Sequence, residues 1–266
     1  MIQLEYSINK SDNGVNIYES RLEGNKVFAL GNLCMDIGMN LHKFDLDYTY
    51  TDVAERGMHF TETYVLRPEV AISYPFGKEW SVTAFVRPEA ASDFQGNWTK
   101  EGFNVSYGTY FTKTWGHGSG AFSSLMMGAE YSTAFGKPRI VPILNYKRKT
   151  DGRLSYAIGY PHTWVSWTLN RRHTIKPLLD IDAFYAGVNA VTGYFNDRES
   201  RFYKLNYLNV SGSVNYEYHF NQGWNLVAGL GYSIHNELER YQDDDEVYAY
   251  ETAPAPYISL GIKYNF

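Results

Sequence analysis

Two Arg-Pro-Glu tripeptides, Arg67-Pro68-Glu69 and Arg87-Pro88-Glu89, flank a turn at Gly77-Lys78. In an extended strand, residues two apart share a face, so Arg67 points with Glu69 and Arg87 with Glu89. Counting back from Gly77 sets residue 67 opposite residue 87. Two guanidiniums and two carboxylates meeting in an enclosed space can sort solutes by charge. They can equally form a satisfied network that fills the space, since buried charges must be paired. Asp45 with Asp47, and Asp180 with Asp182, repeat the two-residue spacing. These acids would line a cation path, or partner the arginines, Lys43 and Lys176. His117-Gly118-Ser119, with Glu130 eleven residues later, has the types needed for acyl hydrolysis: a base, a hydroxyl nucleophile and an orienting acid. A glycine-rich turn that merely contains His and Ser is the simpler reading. Asp243-Asp244-Asp245-Glu246 could hold Ca²⁺ through carboxylate oxygens. The EF-hand spacing with its central glycine is missing, and a charge run is by default a solvated loop. Cys34 is the single cysteine, so no intrachain disulfide forms. No Cys/His spacing of a metal site is present, and no cofactor is expected.

These side chains meet only if strands bring them together. Alternation of apolar and polar residues marks strands along nearly the whole chain. Phe44, Leu46, Tyr48 and Tyr50 lie against Lys43, Asp45, Asp47 and Thr49. Leu66, Pro68, Val70, Ile72 and Tyr74 lie against Arg67, Glu69, Ala71 and Ser73. Ile175, Leu179, Ile181, Ala183 and Tyr185 lie against Lys176, Asp180 and Asp182. Trp224, Leu226, Ala228, Leu230, Tyr232 and Ile234 lie against Asn225, Gly229, Gly231 and Ser233. The alternation slips between Tyr207 and Leu208, which reads as a β-bulge. Connections at 76–78, 148–152, 170–173 and 220–223 are tight, whereas those at 52–59, 93–101, 191–202 and 239–253 are long and polar.

Composition sets bounds. Aromatic residues make up 17% of the 266 positions, and 24 of them are tyrosines. Tyr and Trp have an apolar body and a polar tip, which suits a membrane–water boundary. Mean hydropathy is −0.40, and no stretch is long and apolar enough for a transmembrane helix. A membrane β-barrel remains open, because only alternate residues would face lipid. The net charge of −5 argues against nucleic acid as a partner. Met1 to Glu5 lacks the basic start and apolar core of a signal peptide. Either the protein is cytosolic or the chain is a mature or truncated form of an exported protein, and the strand pattern favours the second.

The final stretch, Tyr257 to Phe266, alternates without a break: Ile258, Leu260, Ile262, Tyr264 and Phe266 against Ser259, Gly261, Lys263 and Asn265. It resembles the C-terminal strand of Gram-negative outer-membrane β-barrels, which ends in Phe or Trp and is recognised by the barrel-assembly machinery. That resemblance implies an outer-membrane location among lipid and lipopolysaccharide, with Tyr264 and Phe266 as the assembly signal. The chain as a whole resembles outer-membrane barrels common in Bacteroidota, in pattern and in its Tyr-rich strands. His117-Gly118-Ser119 is similar to the His-x-Ser of outer-membrane lipid hydrolases. Their Ser-Asn-Gly continuation is replaced here by Gly120-Ala121.

The expectation is thus one all-β domain over residues 1–266, a closed antiparallel up-and-down transmembrane β-barrel. Counting every segment separately yields 14 strands. Merging the first two, and the two around Pro161, yields 12, which is favoured because a spanning strand needs about nine to eleven residues and 154–160 and 164–169 fall short. The leading function is a narrow pore or solute-passage barrel with a lumen set by Arg67, Glu69, Arg87 and Glu89. A closed structural or assembly-partner barrel and a lipid-modifying hydrolase are the alternatives.

Overall fold

The structure is a computed structural model that describes residues 1–10, 15–48, 62–94, 102–116, 120–150, 152–190, 201–221, 223–242, 245–251 and 253–266. The chain runs up and down through β1 (Ile2–Asn9), β2 (Val15–Leu30), β3 (Leu33–Tyr48), β4 (Glu62–Phe76), β5 (Trp80–Ser92), β6 (Phe103–Gly116), β7 (Phe122–Ser132), β8 (Arg139–Lys149), β9 (Leu154–Tyr160), β10 (Thr163–Asn170), β11 (His173–Ala190), β12 (Arg201–His219), β13 (Trp224–Gln242), β14 (Asp245–Glu251) and β15 (Ala255–Tyr264). Neighbours pair antiparallel. β14 and β15 lie end to end along β13, and β15 pairs with β1 from Ile2↔Tyr264 to Asn9↔Tyr257. The result is a closed antiparallel barrel of 14 strands. Closure leaves no sheet edge at the junction of the chain's two ends.

The favoured count of 12 is therefore corrected. β1 and β2 are separate, paired from Ile2↔Gly24 to Asn9↔Ile17. β9 and β10 form their own short hairpin, with Trp164 against Ala157 and Trp167 against Leu154. They can be short because another strand takes over the wall above them. β11 leaves β10 at Thr163↔Leu179 and continues across the barrel until Gly187 meets Ser92 of β5. Its freed edge is not left unpaired: Arg67 donates to the Ala183 carbonyl, and Asn104 Nδ2 donates to the Tyr185 carbonyl at 2.8 Å. The β7–β8 connection covers the outer face of this crossing. Gly136, at φ 80°, sits where a Cβ would fall 1.8 Å from Asn206 Oδ1, and Lys137 lies over the Tyr241 ring.

The outer surface is apolar around the ring, with Ile2, Leu4 and Tyr6 on β1, Val70 and Ile72 on β4, Leu144 on β8, Leu226 and Leu230 on β13, and Ile258 and Leu260 on β15 all exposed. In water this would be far larger than the apolar patch a soluble monomer tolerates. It is the surface a barrel presents to lipid.

Towards the rim of longer connections the pattern inverts. On β3 the outward row is Leu33, Ile37 and Met39. From His42 upward the apolar residues Phe44 and Leu46 turn inward and are buried. On β11, Leu179 is exposed whereas Phe184, Ala186 and Val188 are buried. On β12, Val214 and Tyr216 are exposed whereas Leu205 and Tyr207 are buried. The slip between Tyr207 and Leu208 marks this inversion rather than a bulge, since β11 and β12 pair without interruption there. The bulge lies further on, where β13 skips a residue opposite Val210 and Ser211. The long loop expected at 239–253 is mostly strand, formed by the end of β13 and β14.

The inward apolar residues pack into one cluster that includes Ile17, Phe44, Leu46, Val65, Phe184, Leu205, Tyr207 and Leu238. The rings of Phe44, Phe184 and Tyr207 lie 4.9–5.5 Å apart. They stopper the barrel at this end.

Candidate functional site

Below the stopper the interior is polar, and Arg21 of β2 stands at its centre. Its guanidinium is 3.0 Å from Glu19 and 3.7 Å from Glu23 on its own strand, and 2.5 Å from Asp182 and 3.7 Å from Asp180 on β11. Inward parity on β2 produces this set: Glu19, Arg21 and Glu23 alternate, as do Asp180 and Asp182. The Arg21 bridge ties β2 to β11 and divides the interior into two cavities of about 420 and 560 Å³. Gln3, Glu5, Lys176, Asn209 and Lys263 line the first, with Ile17 and Tyr207 of the stopper beside them. Glu69, Arg87, Tyr110, Glu130 and Tyr160 line the second.

The two Arg-Pro-Glu segments do meet inside, in a register shifted from the expected one. Leu66 faces Ala90 and Val70 faces Val86, which sets Arg67 against Glu89 and Glu69 against Arg87. Residue 67 is thus not opposite 87. The true register pairs unlike charges directly: Arg67 Nε donates to Glu89 at 2.5 Å, and Arg87 Nε donates to Glu69 at 2.6 Å. Pro68 and Pro88 oppose each other between these pairs, where neither can donate to the ladder. Glu89 also accepts from Thr133 Oγ1 at 3.0 Å and is almost fully buried. Arg67 therefore holds both Glu89 and the crossing strand β11.

Other expected residues divide. Asp180 and Asp182 face inward on Arg21. Asp45 and Asp47 do not: they share a face with Lys43, opposite the buried His42, Phe44 and Leu46. Asp45 accepts an ion pair from Lys43 at 2.7 Å on the outer surface. Their assignment to the lumen is corrected, because the inversion on β3 turns its charged face outward. Glu130 is buried and accepts from Tyr160 OH at 2.5 Å and Ser132 Oγ at 2.6 Å. His117 and Ser119 lie outside the described residues. Glu130 lies near the end of β7. Asp243 and Asp244 also lie outside the described residues, while Asp245 and Glu246 are exposed at the start of β14. Tyr264 pairs with Ile2, its ring lies tilted against that of Trp224 at 4.8 Å, and Phe266 is exposed.

Glu19, Arg21, His42, Phe184 and Tyr207 were not singled out from the sequence. The alternation Glu19-x-Arg21-x-Glu23 was a signal for the first two, as dense in charge as the Arg-Pro-Glu pair.

A closed antiparallel barrel with a lipid-facing outer surface and an ion-paired interior defines a membrane β-barrel. The chain belongs to the family described as Domain of unknown function (DUF6268), whose profile matches residues 40–265. No curated protein sequence matches it. Among solved structures it is similar to the NanC porin, at 8% identity over 100% of both chains with a TM-score of 0.45. The KdgM porin in complex with disordered oligogalacturonate is 11% identical over 99% of both chains, with a TM-score of 0.40. The Pseudomonas putida toluene transporter TodX is 12% identical, over 100% of this chain and 89% of the other, with a TM-score of 0.39.

Proposed function

We propose that this protein is an outer-membrane barrel that passes small polar solutes through a gated, charge-lined lumen. The observation that carries this reading is the pair of polar cavities of about 420 and 560 Å³ beneath the aromatic stopper. Barrels of about eight strands are filled by their side chains, whereas those of sixteen to eighteen leave an aqueous channel. Fourteen strands lie between these limits, with room for a lumen that a few side chains can shut. Arg67, Glu69, Arg87, Glu89 and the Arg21 group supply the fixed charges that would select among solutes. The stopper also favours a second reading, a closed barrel without conduction.

Planar-bilayer recordings separate the two. With Arg67→Gln and Arg87→Gln together, a conducting barrel shifts its selectivity towards cations, and the shift shrinks at high salt as screening sets in. A closed barrel gives no current, and the same pair lowers its melting temperature because Glu69 and Glu89 lose their partners. A current whose selectivity the pair leaves unchanged would remove these residues from the path.

Assembly belongs to the same proposal. Tyr264 and Phe266, at the end of the strand that closes the barrel, offer the face that assembly machinery would bind. Phe266→Asp should lower the yield of heat-modifiable, membrane-embedded protein. Normal yield would remove that role.

A further inference from the structure

We infer that Glu19, His42 and Asp182 form a site for one divalent transition-metal ion inside the barrel. One ligand atom from each of the three residues lies within 4.8 Å of the others. They come from three strands, β2, β3 and β11. Each is two residues from a member of the stopper on the same inward face: Ile17, Phe44 and Phe184. The site therefore sits immediately beneath the stopper.

His42 is the observation that points to a ligand. It is 1% exposed. Its Nδ1 is 3.0 Å from Glu19 Oε1, an ion-pair distance, yet among the described residues neither ring nitrogen has a hydrogen-bond partner. A buried imidazole left in that state is costly, and coordination through one nitrogen would satisfy that nitrogen and remove part of the cost. Charge points the same way. Among the described residues, Arg21 is the one Lys or Arg at ion-pair distance from Glu19, Glu23, Asp180 and Asp182, so these carboxylates outnumber their direct cationic partner, an imbalance a dication would reduce. Hydrogen bonds from Arg21 fall on Glu19 Oε1 and Asp182 Oδ2. Among the described residues none ends on the second oxygen of either carboxylate.

One imidazole and two carboxylates suit Zn²⁺, Mn²⁺ or Fe²⁺, whereas Mg²⁺ and Ca²⁺ prefer oxygen alone. Ligands at about 2.0–2.2 Å from a zinc ion stand roughly 4 Å apart at most, so closure by under about 1 Å completes the set. An ion held there would cross-link β2, β3 and β11 alongside the Arg21 bridge.

The experiment is calorimetric and thermal titration of the folded, full-length barrel with Zn²⁺ alone. One saturable ion per chain is expected. At about a hundredfold excess over Kd the melting midpoint should rise by about 5 °C, and Mg²⁺ should not reproduce this. X-ray absorption at the zinc edge of the unaltered protein should include an imidazole ligand. His42→Asn and Glu19→Gln should each weaken binding at least about tenfold. Absence of saturable binding overturns the site. So does a zinc spectrum without imidazole, or unchanged affinity in His42→Asn, either of which would place the ion on surface acids such as Asp245 and Glu246. Should the variants fail to fold, the spectrum of the unaltered protein decides. Bilayer currents are a separate readout, so failure here leaves the solute-passage reading standing.

Discussion

Leu230→Arg is expected to destabilise the barrel by about 2–4 kcal/mol, the cost of a cation near the bilayer midplane. Leu230 is 70% exposed and lies mid-way along the outward row from Trp224 to Ile234 of β13. Its neighbours across the sheet are Val214 and Ile258, both exposed and apolar. Gln3→Arg is the matched control. Gln3 lines the first cavity near Glu5, where a guanidinium finds both water and a carboxylate. Denaturant titration of folding into lipid vesicles measures both. Equal costs, or a larger cost at Gln3, would mean that the apolar face does not meet lipid. Read from alternation alone, Ser233 would serve as the inward control. In the folded barrel it does not, because Ser233 has no exposed surface and donates to Asn209 at 2.6 Å. An arginine there would have to displace packed neighbours.

Phe184→Ala combined with Tyr207→Ala is expected to turn a closed or rarely open barrel into one that conducts steadily. The two rings lie 5.0 Å apart and pack on Phe44, in the layer that separates the polar cavities from the far rim. Removing a buried aromatic ring costs about 3–5 kcal/mol and leaves a cavity that the surrounding structure fills only in part. The double variant should therefore melt lower and, in planar bilayers, carry a sustained current where the parent does not. A lower melting temperature with no current would show that the barrier to passage lies elsewhere, and would favour the closed-barrel reading. Leu238→Ala, in the same layer but outside the ring contacts, should cost stability with less effect on current.

Alternation by itself determined the membrane-barrel class, the strand count to within two mergers, and the shared face of Arg67 with Glu69, of Arg87 with Glu89 and of Asp180 with Asp182. The period of two is a local property of extended backbone, and an apolar outward row is what lipid requires of it. Local pattern says that two faces differ, not which of them looks inward. Phe44 and Leu46 were for that reason read as lipid-facing, and Asp45 and Asp47 as lumenal. Only the closed barrel decides the matter: above the apolar band the outside meets water, and the apolar residues of β3, β11 and β12 turn inward to bury one another. The slip at Tyr207–Leu208 was visible in the sequence, but a bulge and an inversion of environment leave the same trace in one strand. The offset between the Arg-Pro-Glu segments depended on a turn whose centre the sequence placed one residue too early. The crossing of β11 to β5, and the meeting of Glu19, His42 and Asp182, join strands remote in sequence. Such contacts follow from how the sheet closes and how short β9 and β10 are, which no single strand encodes.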